Sequence, residues 1–290
     1  MDTLSVPGPH GDIPLRVYPA AVTDAAPLPA LVWAHGGGFA WGDLDMPEAH
    51  WVSQQLAARG ITVVSVDYRL APVSAALTDS EPARDGVLFP VASEEVTAAF
   101  LWTVGHAAEY GIDPDRVSLG GASAGGNLAA GVSLRLRDAG GVQPASLLLA
   151  YPLVHAALPE PAPELAQKIA VLPSDARFEP DDVRAMNLNY VGDPARLDNA
   201  YAFPGGHSLA GLPPTFVLNS EHDSLRASGQ AFAAELALAG VNVAVYREPG
   251  TRHGHLNEPE NPGAQASIRR MADWLTGAAV FALASADATA

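Results

Sequence analysis

Apolar runs of strand length alternate with helix-like stretches along most of the chain. Ile13, Leu15 and Val17 alternate with polar or ring residues, the period of a half-buried strand. Ala30 to His35 and Ile61 to Asp67 are continuous apolar runs, each ending in a polar residue. Ala145 to Tyr151, Thr215 to Asn219 and Val241 to Tyr246 supply three later strands. Between the first two runs, His50 to Arg59 reads as a helix closed by Gly60, and Glu94 to Tyr110 as a second one stopped by Gly111. Asp113 to Arg116 reads as a turn that feeds a short strand, Val117-Ser118-Leu119. A helix follows over Gly126 to Arg137, and Ala227 to Ala239 is amphipathic and ends at Gly240. This alternation predicts an α/β protein with a mostly parallel sheet covered by helices on both faces.

Residues 155 to 206 break the rhythm. Prolines recur at 159, 161, 163, 173, 180, 194 and 204, and the helical pattern is short, as at Asp181 to Tyr190. An insertion of that length between two sheet strands predicts a lid or cap over a site. The expected organisation is therefore a core of 1–154 and 207–277, a lid of 155–206, and an alanine-rich tail, 278–290, that frays. Ser74 to Leu88 is a shorter polar, proline-punctuated excursion, and no internal repeat is visible.

At 290 residues the chain has ample core for one large domain. Cysteine is absent, so no disulfide, thiolate nucleophile or cysteine metal site is available, which fits a reducing, cytoplasmic setting. The first residues have neither a basic stretch nor an apolar run, which argues against a secretory signal. The longest apolar stretches fall short of the roughly 18 residues that span a bilayer. Sixteen basic residues against 32 acidic ones leave a formal charge of −16, which repels phosphate backbones and anionic lipid. Nucleic acid and membrane are thus set aside as partners, and a homodimer stays open.

The chemistry gathers at strand ends, the rim where loops of a parallel sheet converge. Gly121-Ala122-Ser123-Ala124-Gly125 is a G-x-S-x-G that follows a strand and opens a helix, the setting in which a tight turn can present a serine to a base. His35-Gly36-Gly37-Gly38-Phe39 follows the Ala30 strand, and its glycines can aim bare N–H groups at a developing oxyanion. Losing one such donor typically costs about 3 kcal/mol of transition-state stabilisation. Glu221-His222-Asp223 follows the Thr215 strand, and His253-Gly254-His255 follows the Val241 strand. Serine, acid and histidine therefore occur in the order an α/β-hydrolase requires.

Six segments then carry a specific resemblance. They are His35 to Phe39, Asp67-Tyr68-Arg69-Leu70-Ala71-Pro72, Asp113-Pro114-Asp115-Arg116-Val117, Gly121 to Ala129, Tyr151-Pro152 and Asp223-Ser224-Leu225-Arg226. In this order and spacing the chain resembles the hormone-sensitive-lipase-like (bacterial family IV) esterases of the α/β-hydrolase superfamily. The likeness covers roughly residues 12 to 275. It implies Ser123 as nucleophile, Asp223 as acid, His253 as base, and Gly37, Gly38 and Ala124 as oxyanion donors, with no cofactor and no metal. It also implies small, soluble short-chain acyl esters as substrates.

Three departures stand out. The family usually has an acidic residue where Ala122 stands and a glutamate where Val73 stands, so loop support is expected to differ. Many members also carry a helical cap before the oxyanion glycines. Here 34 residues precede His35 and read as strands and loops, which predicts a smaller lid and a more open pocket.

Alternatives remain at several positions. Glu221 is the nearest substitute for Asp223, which could instead cap the helix near Leu225. His255 competes with His253, and as a His-x-His pair the two raise metal binding without a third ligand at convincing spacing. Phe39, Trp41, Met186, Tyr190 and His255 are the candidate substrate-binding residues. Tyr201, His155 and His207 are further lid candidates, His35 is expected to support the glycine loop, and His10, His50, His106 and His222 are expected at the surface. An amidase or acyltransferase could use the same triad, and a binding protein could use the same fold.

Overall fold

A computed structural model describes residues 1–21, 27–73, 77–78 and 81–277. Its eight strands are β1 (Asp2–Val6), β2 (Ile13–Tyr18), β3 (Leu28–Ala34), β4 (Thr62–Val66), β5 (Ile112–Ala122), β6 (Leu147–Ala150), β7 (Thr215–His222) and β8 (Val243–Arg252). They form one sheet in the order β1-β2-β4-β3-β5-β6-β7-β8. The β1–β2 and β2–β4 pairs are antiparallel, and every later pair is parallel.

The inner strands are buried on both faces, so their apolar residues run continuously yet divide by parity. Leu31 and Trp33 of β3, with Leu148 and Ala150 of β6, face a core completed by α1 (Pro47–Ala57) and α7 (Pro262–Thr276) through Val52, Leu56, Ile268, Met271 and Leu275. Val32 of β3, Leu119 of β5 and Leu149 of β6 face the opposite core. There α2 (Val91–Gly105), α3 (Ala124–Asp138) and α6 (Arg226–Leu238) contribute Val96, Phe100, Leu128, Val132 and Phe232.

Element boundaries shift for local reasons. Helix α1 starts at Pro47, where proline's missing N–H is harmless in the first turn, rather than at His50. Helix α2 ends at Gly105, and Ala107–Tyr110 is a separate 3₁₀ turn before Gly111, whose φ of 65° stops it. The turn expected at 113–116 lies inside β5 as a bulge: Leu28 pairs with Ile112 and Ala30 with Val117, and Asp113 Oδ1 accepts from the Asp115 N–H at 3.1 Å. Strand β8 runs six residues past Tyr246 and delivers His253 directly.

Between β6 and β7 lie α4 (Pro163–Ala170) and α5 (Pro180–Val191). Helix α4 is tied to the core: Glu164 pairs with the buried Arg226 at 2.7 Å, and Lys168 with Glu221 at 2.8 Å. In the excursion after Pro72, Val73 bridges to Arg84, while 74–76 and 79–80 lie outside the described residues, as does the tail 278–290. Among the described residues no helix is long and apolar enough to cross a membrane.

Candidate active site

Ser123 sits between the last residue of β5 and the first of α3 with φ 53° and ψ −117°. That backbone region is strained for a non-glycine residue by about 1–3 kcal/mol and persists only where the surroundings over-determine it. Here they do. A Cβ on Gly121 would lie 2.3 Å from the Gly125 backbone, and one on Gly125 would lie 2.1 Å from the Ala34 carbonyl, so only glycines let β3, β5 and α3 meet this closely. Ser123 N–H donates to the Ala150 carbonyl at 2.8 Å, which ties the turn to β6.

His253 Nε2 lies 3.0 Å from Ser123 Oγ, and His253 Nδ1 lies 2.7 Å from Asp223 Oδ2. Asp223 is fully buried, and its other oxygen accepts from the Leu225 N–H at 2.9 Å. This aspartate makes both contacts, the bond to the helix entry orienting its carboxylate toward the imidazole. With a carboxylate facing Nδ1, that nitrogen carries the proton and Nε2 is free to accept from the serine hydroxyl. Burial disfavours the charged imidazole, but the Asp223 carboxylate, helped by Glu48, more than offsets it and raises the His253 pKa above 6.5.

The glycine loop adopts left-handed backbone at Gly37 (φ 112°), Gly38 (φ 57°) and Phe39 (φ 67°). Gly37 C=O accepts from the N–H groups of Ala40 and Trp41 at 3.1 and 2.8 Å, curling the loop back on itself. Ala124 is the first residue of α3, where N–H groups have no intrahelical acceptor. Gly37, Gly38, Ser123 and His253 border one cavity of about 300 Å³, together with Trp41, Met46, Glu48, Phe178, Met186, Gly254 and Asn257.

The chain is similar to known proteins in sequence and in fold. The sequence pattern of the α/β-hydrolase fold matches residues 31–257. Carboxylesterase NlhH of Mycobacterium tuberculosis is 37% identical over 252 residues, covering 85% of this chain and 72% of the relative. The ethyl acetate hydrolase of Pseudomonas putida is 31% identical over 245 residues, 83% of this chain and 70% of that one. The solved esterase of Pyrobaculum calidifontis superimposes with a TM-score of 0.79 at 31% identity, covering 96% of this chain and 86% of that one. The chain belongs to the hormone-sensitive-lipase-like esterases of the α/β-hydrolase fold. It is a carboxylesterase.

In this esterase the expected pocket residues separate into two groups. Trp41 and Met186 line the cavity. Phe39 and Tyr190 do not: their rings stack 4.0 Å apart at 6° and both are about 1% exposed, so they belong to the core beneath the loop. His255 is also outside the lining. It is fully buried, within 2.9 Å of Ser220 Oγ through Nδ1 and 2.8 Å of Ser267 Oγ through Nε2, and burial lowers its pKa to about 4. Both ring nitrogens being taken, it offers neither a base nor a ligand to the site. Among the described residues no group of three or more His, Asp or Glu side chains is placed to hold a metal ion.

Glu221, the substitute acid, bonds instead to Lys168 at 2.8 Å and to the Gly250 N–H at 2.7 Å, which hold its pKa down at about 2. The lid candidates lie elsewhere: His155 contacts Ser228 and Glu235, Tyr201 donates to Asp138, and His207 faces Asp198. His35 supports the loop as expected, with its ring 4.5 Å from Tyr68 and Nδ1 2.7 Å from the Gly36 carbonyl.

Met46, Glu48, Phe178 and Asn257 were not read from the sequence as site residues. Glu48 looks like an ordinary first-turn acid after Pro47, and Phe178 like one apolar residue in a proline-rich stretch. Ala122 is fully buried on the same sheet face as Trp33, where no carboxylate of its own supports the loop; the acid found there comes from α1.

Proposed function

We propose that this carboxylesterase hydrolyses small, short-chain acyl esters through an acyl-enzyme on Ser123. The observation that carries the reading is the continuous hydrogen-bonded line Ser123–His253–Asp223 opening on the 300 Å³ cavity. Ser123 Oγ attacks the ester carbonyl carbon as His253 Nε2 takes its proton, and Asp223 holds the imidazolium that forms. The N–H groups of Gly37, Gly38 and Ala124 donate to the oxyanion. As the tetrahedral species collapses, the C–O bond to the alcohol breaks and His253 returns the proton to the departing oxygen. A water molecule then repeats the sequence on the acyl-enzyme, releasing acid and regenerating the serine.

A cavity of about 300 Å³ lies at the small end of the roughly 300–1,000 Å³ common for ligand sites. That supports short acyl groups, as does similarity to a relative named for ethyl acetate hydrolysis. Residues 155–206 act as the lid, bringing Phe178 and Met186 over the serine.

Stoichiometric labelling by a fluorophosphonate, lost in Ser123→Ala together with ester turnover, is the expected result. An active Ser123→Ala variant would overturn the serine mechanism. An acyl-length series tests the rest: acetyl to hexanoyl esters should be preferred, and best rates on octanoyl or longer chains would refute the short pocket.

A further inference from the structure

Glu48 is the one acidic residue lining the cavity, and the acyl-transfer scheme gives it no task. It stands in the first turn of α1 and is 2% exposed. Its Oε1 accepts the Gly36 N–H at 2.6 Å, and its Oε2 accepts the Tyr151 hydroxyl and the Asn257 amide, the latter at 3.3 Å. The backbone of the same residue adds two bonds. Its N–H donates to Asn257 Oδ1 at 3.0 Å, and its carbonyl accepts from Trp33 Nε1 at 2.9 Å.

Burying a carboxylate is unfavourable unless donors replace water, and apolar residues of similar volume often serve stability as well or better. What singles out Glu48 is where its donors come from. Gly36 immediately precedes the donor glycines 37 and 38. Tyr151 follows β6, and its ring packs 5.0 Å from the His253 ring. Asn257 closes the short turn His255–Asn257 that follows His253. A Cβ on Gly36 would lie 2.6 Å from Glu48 Oε1, so a glycine there is what lets the carboxylate reach the backbone.

We propose that Glu48 is a positioning residue for ester hydrolysis: its single carboxylate clamps the oxyanion loop to the histidine loop, so that the donors at 37 and 38 and the imidazole of His253 face Ser123 together. This rests on the serine mechanism proposed above. The groups facing His253 are Ser123, Asp223, Glu48, Tyr151, Phe178 and the buried His255. Burial raises the Glu48 pKa while the Tyr151, Gly36 and Asn257 bonds and His253 oppose that rise, and losing its charge withdraws one source of support for the imidazolium.

The test is steady-state kinetics across pH for Glu48→Gln and Glu48→Asp, with Ser123→Ala alongside and folding followed by circular dichroism. Glu48→Gln is expected to lower kcat about 10- to 100-fold, the scale of a misplaced reacting group, with KM within about threefold. The acid limb of its profile should move to lower pH. Glu48→Asp keeps the charge but is one methylene shorter, and should lose kcat with the acid limb in place. Wild-type kcat and an unmoved acid limb in folded Glu48→Gln overturn the proposal. Loss of thermal stability with kcat retained overturns it too, as a packing role. Should Glu48→Gln fail to fold, Glu48→Asp decides by the same kcat criterion. An inactive Ser123→Ala beside a fully active Glu48→Gln removes only this inference, whereas an active Ser123→Ala removes the serine mechanism and this inference together.

Discussion

Phe178 stands edge-on to His253, with ring centroids 4.8 Å apart and planes at 75°. Its N–H donates to Ser224 Oγ at 3.2 Å, next to Asp223, so a residue of the segment between α4 and α5 is registered against both His253 and Asp223. An aromatic pair of this geometry contributes about 0.5–1.5 kcal/mol beyond area burial. Phe178→Ala should therefore lower kcat/KM by up to about tenfold, mostly through KM, and shift the melting temperature little. Unchanged kcat/KM would show that the ring is not over the imidazole during turnover.

Gly37 and Gly38, the proposed oxyanion donors, should respond differently to a methyl group. On Gly37, with φ 112°, a Cβ would sit 2.0 Å from the Trp41 carbonyl, which the backbone cannot yield. On Gly38, with φ 57°, it would meet Met186 Sδ at 2.6 Å, the far end of a flexible side chain. Gly37→Ala is expected to lose about 10²–10³ in kcat, and Gly38→Ala distinctly less, with KM rising as Met186 is pushed. Equal losses in the two variants would contradict this account of the loop.

The pH dependence of activity follows from the raised pKa of His253, for which burial is outweighed by Asp223 and Glu48. In the proposed mechanism His253 works when neutral, so kcat/KM on a non-ionising ester should climb with pH. Because the pKa is raised, the midpoint should lie above the ordinary histidine value of 6.5. A midpoint below that value would mean that desolvation wins.

His255 should act on stability with a definite sign. Folding lowers its pKa from 6.5 to about 4, so between these values the unfolded chain binds the extra proton. Its contribution is complete above pH 6.5 and is lost as pH falls toward 4, roughly 3 kcal/mol in all. Urea unfolding of wild type and His255→Gln at pH 7 and pH 4.5 measures it: the variant should lose less stability on acidification. Parallel losses would show that the imidazole is not held neutral.

Charge should enter substrate choice. No Lys or Arg is among the residues lining the cavity, whereas Glu48 is, and the chain carries a net charge of −16. Neutral acyl esters should exceed matched esters bearing a free carboxylate by at least about tenfold in kcat/KM, a difference of about 1.4 kcal/mol. Comparable rates on monomethyl succinate and methyl butyrate would count against this.

Much of the esterase is readable from local sequence because its constraints are local. A serine in a strand-to-helix turn needs glycines on either side, the oxyanion loop needs its own, and parallel strands announce themselves by apolar runs. Ser123, Asp223 and His253 stand out because each follows such a run. Helix α7 was equally legible, with Ala264, Ile268, Met271 and Leu275 on one face, although it was not read from the sequence. What lines the cavity was not legible. Phe39 and Trp41 lie two residues apart on one loop, yet one stacks under Tyr190 and the other opens on the serine, because packing from α5 decides which side faces inward. Glu48 is the same lesson in polar form. Its donors come from 36, 151 and 257 in the chain, and only the folded sheet and the helices on it bring an ordinary first-turn glutamate to all three.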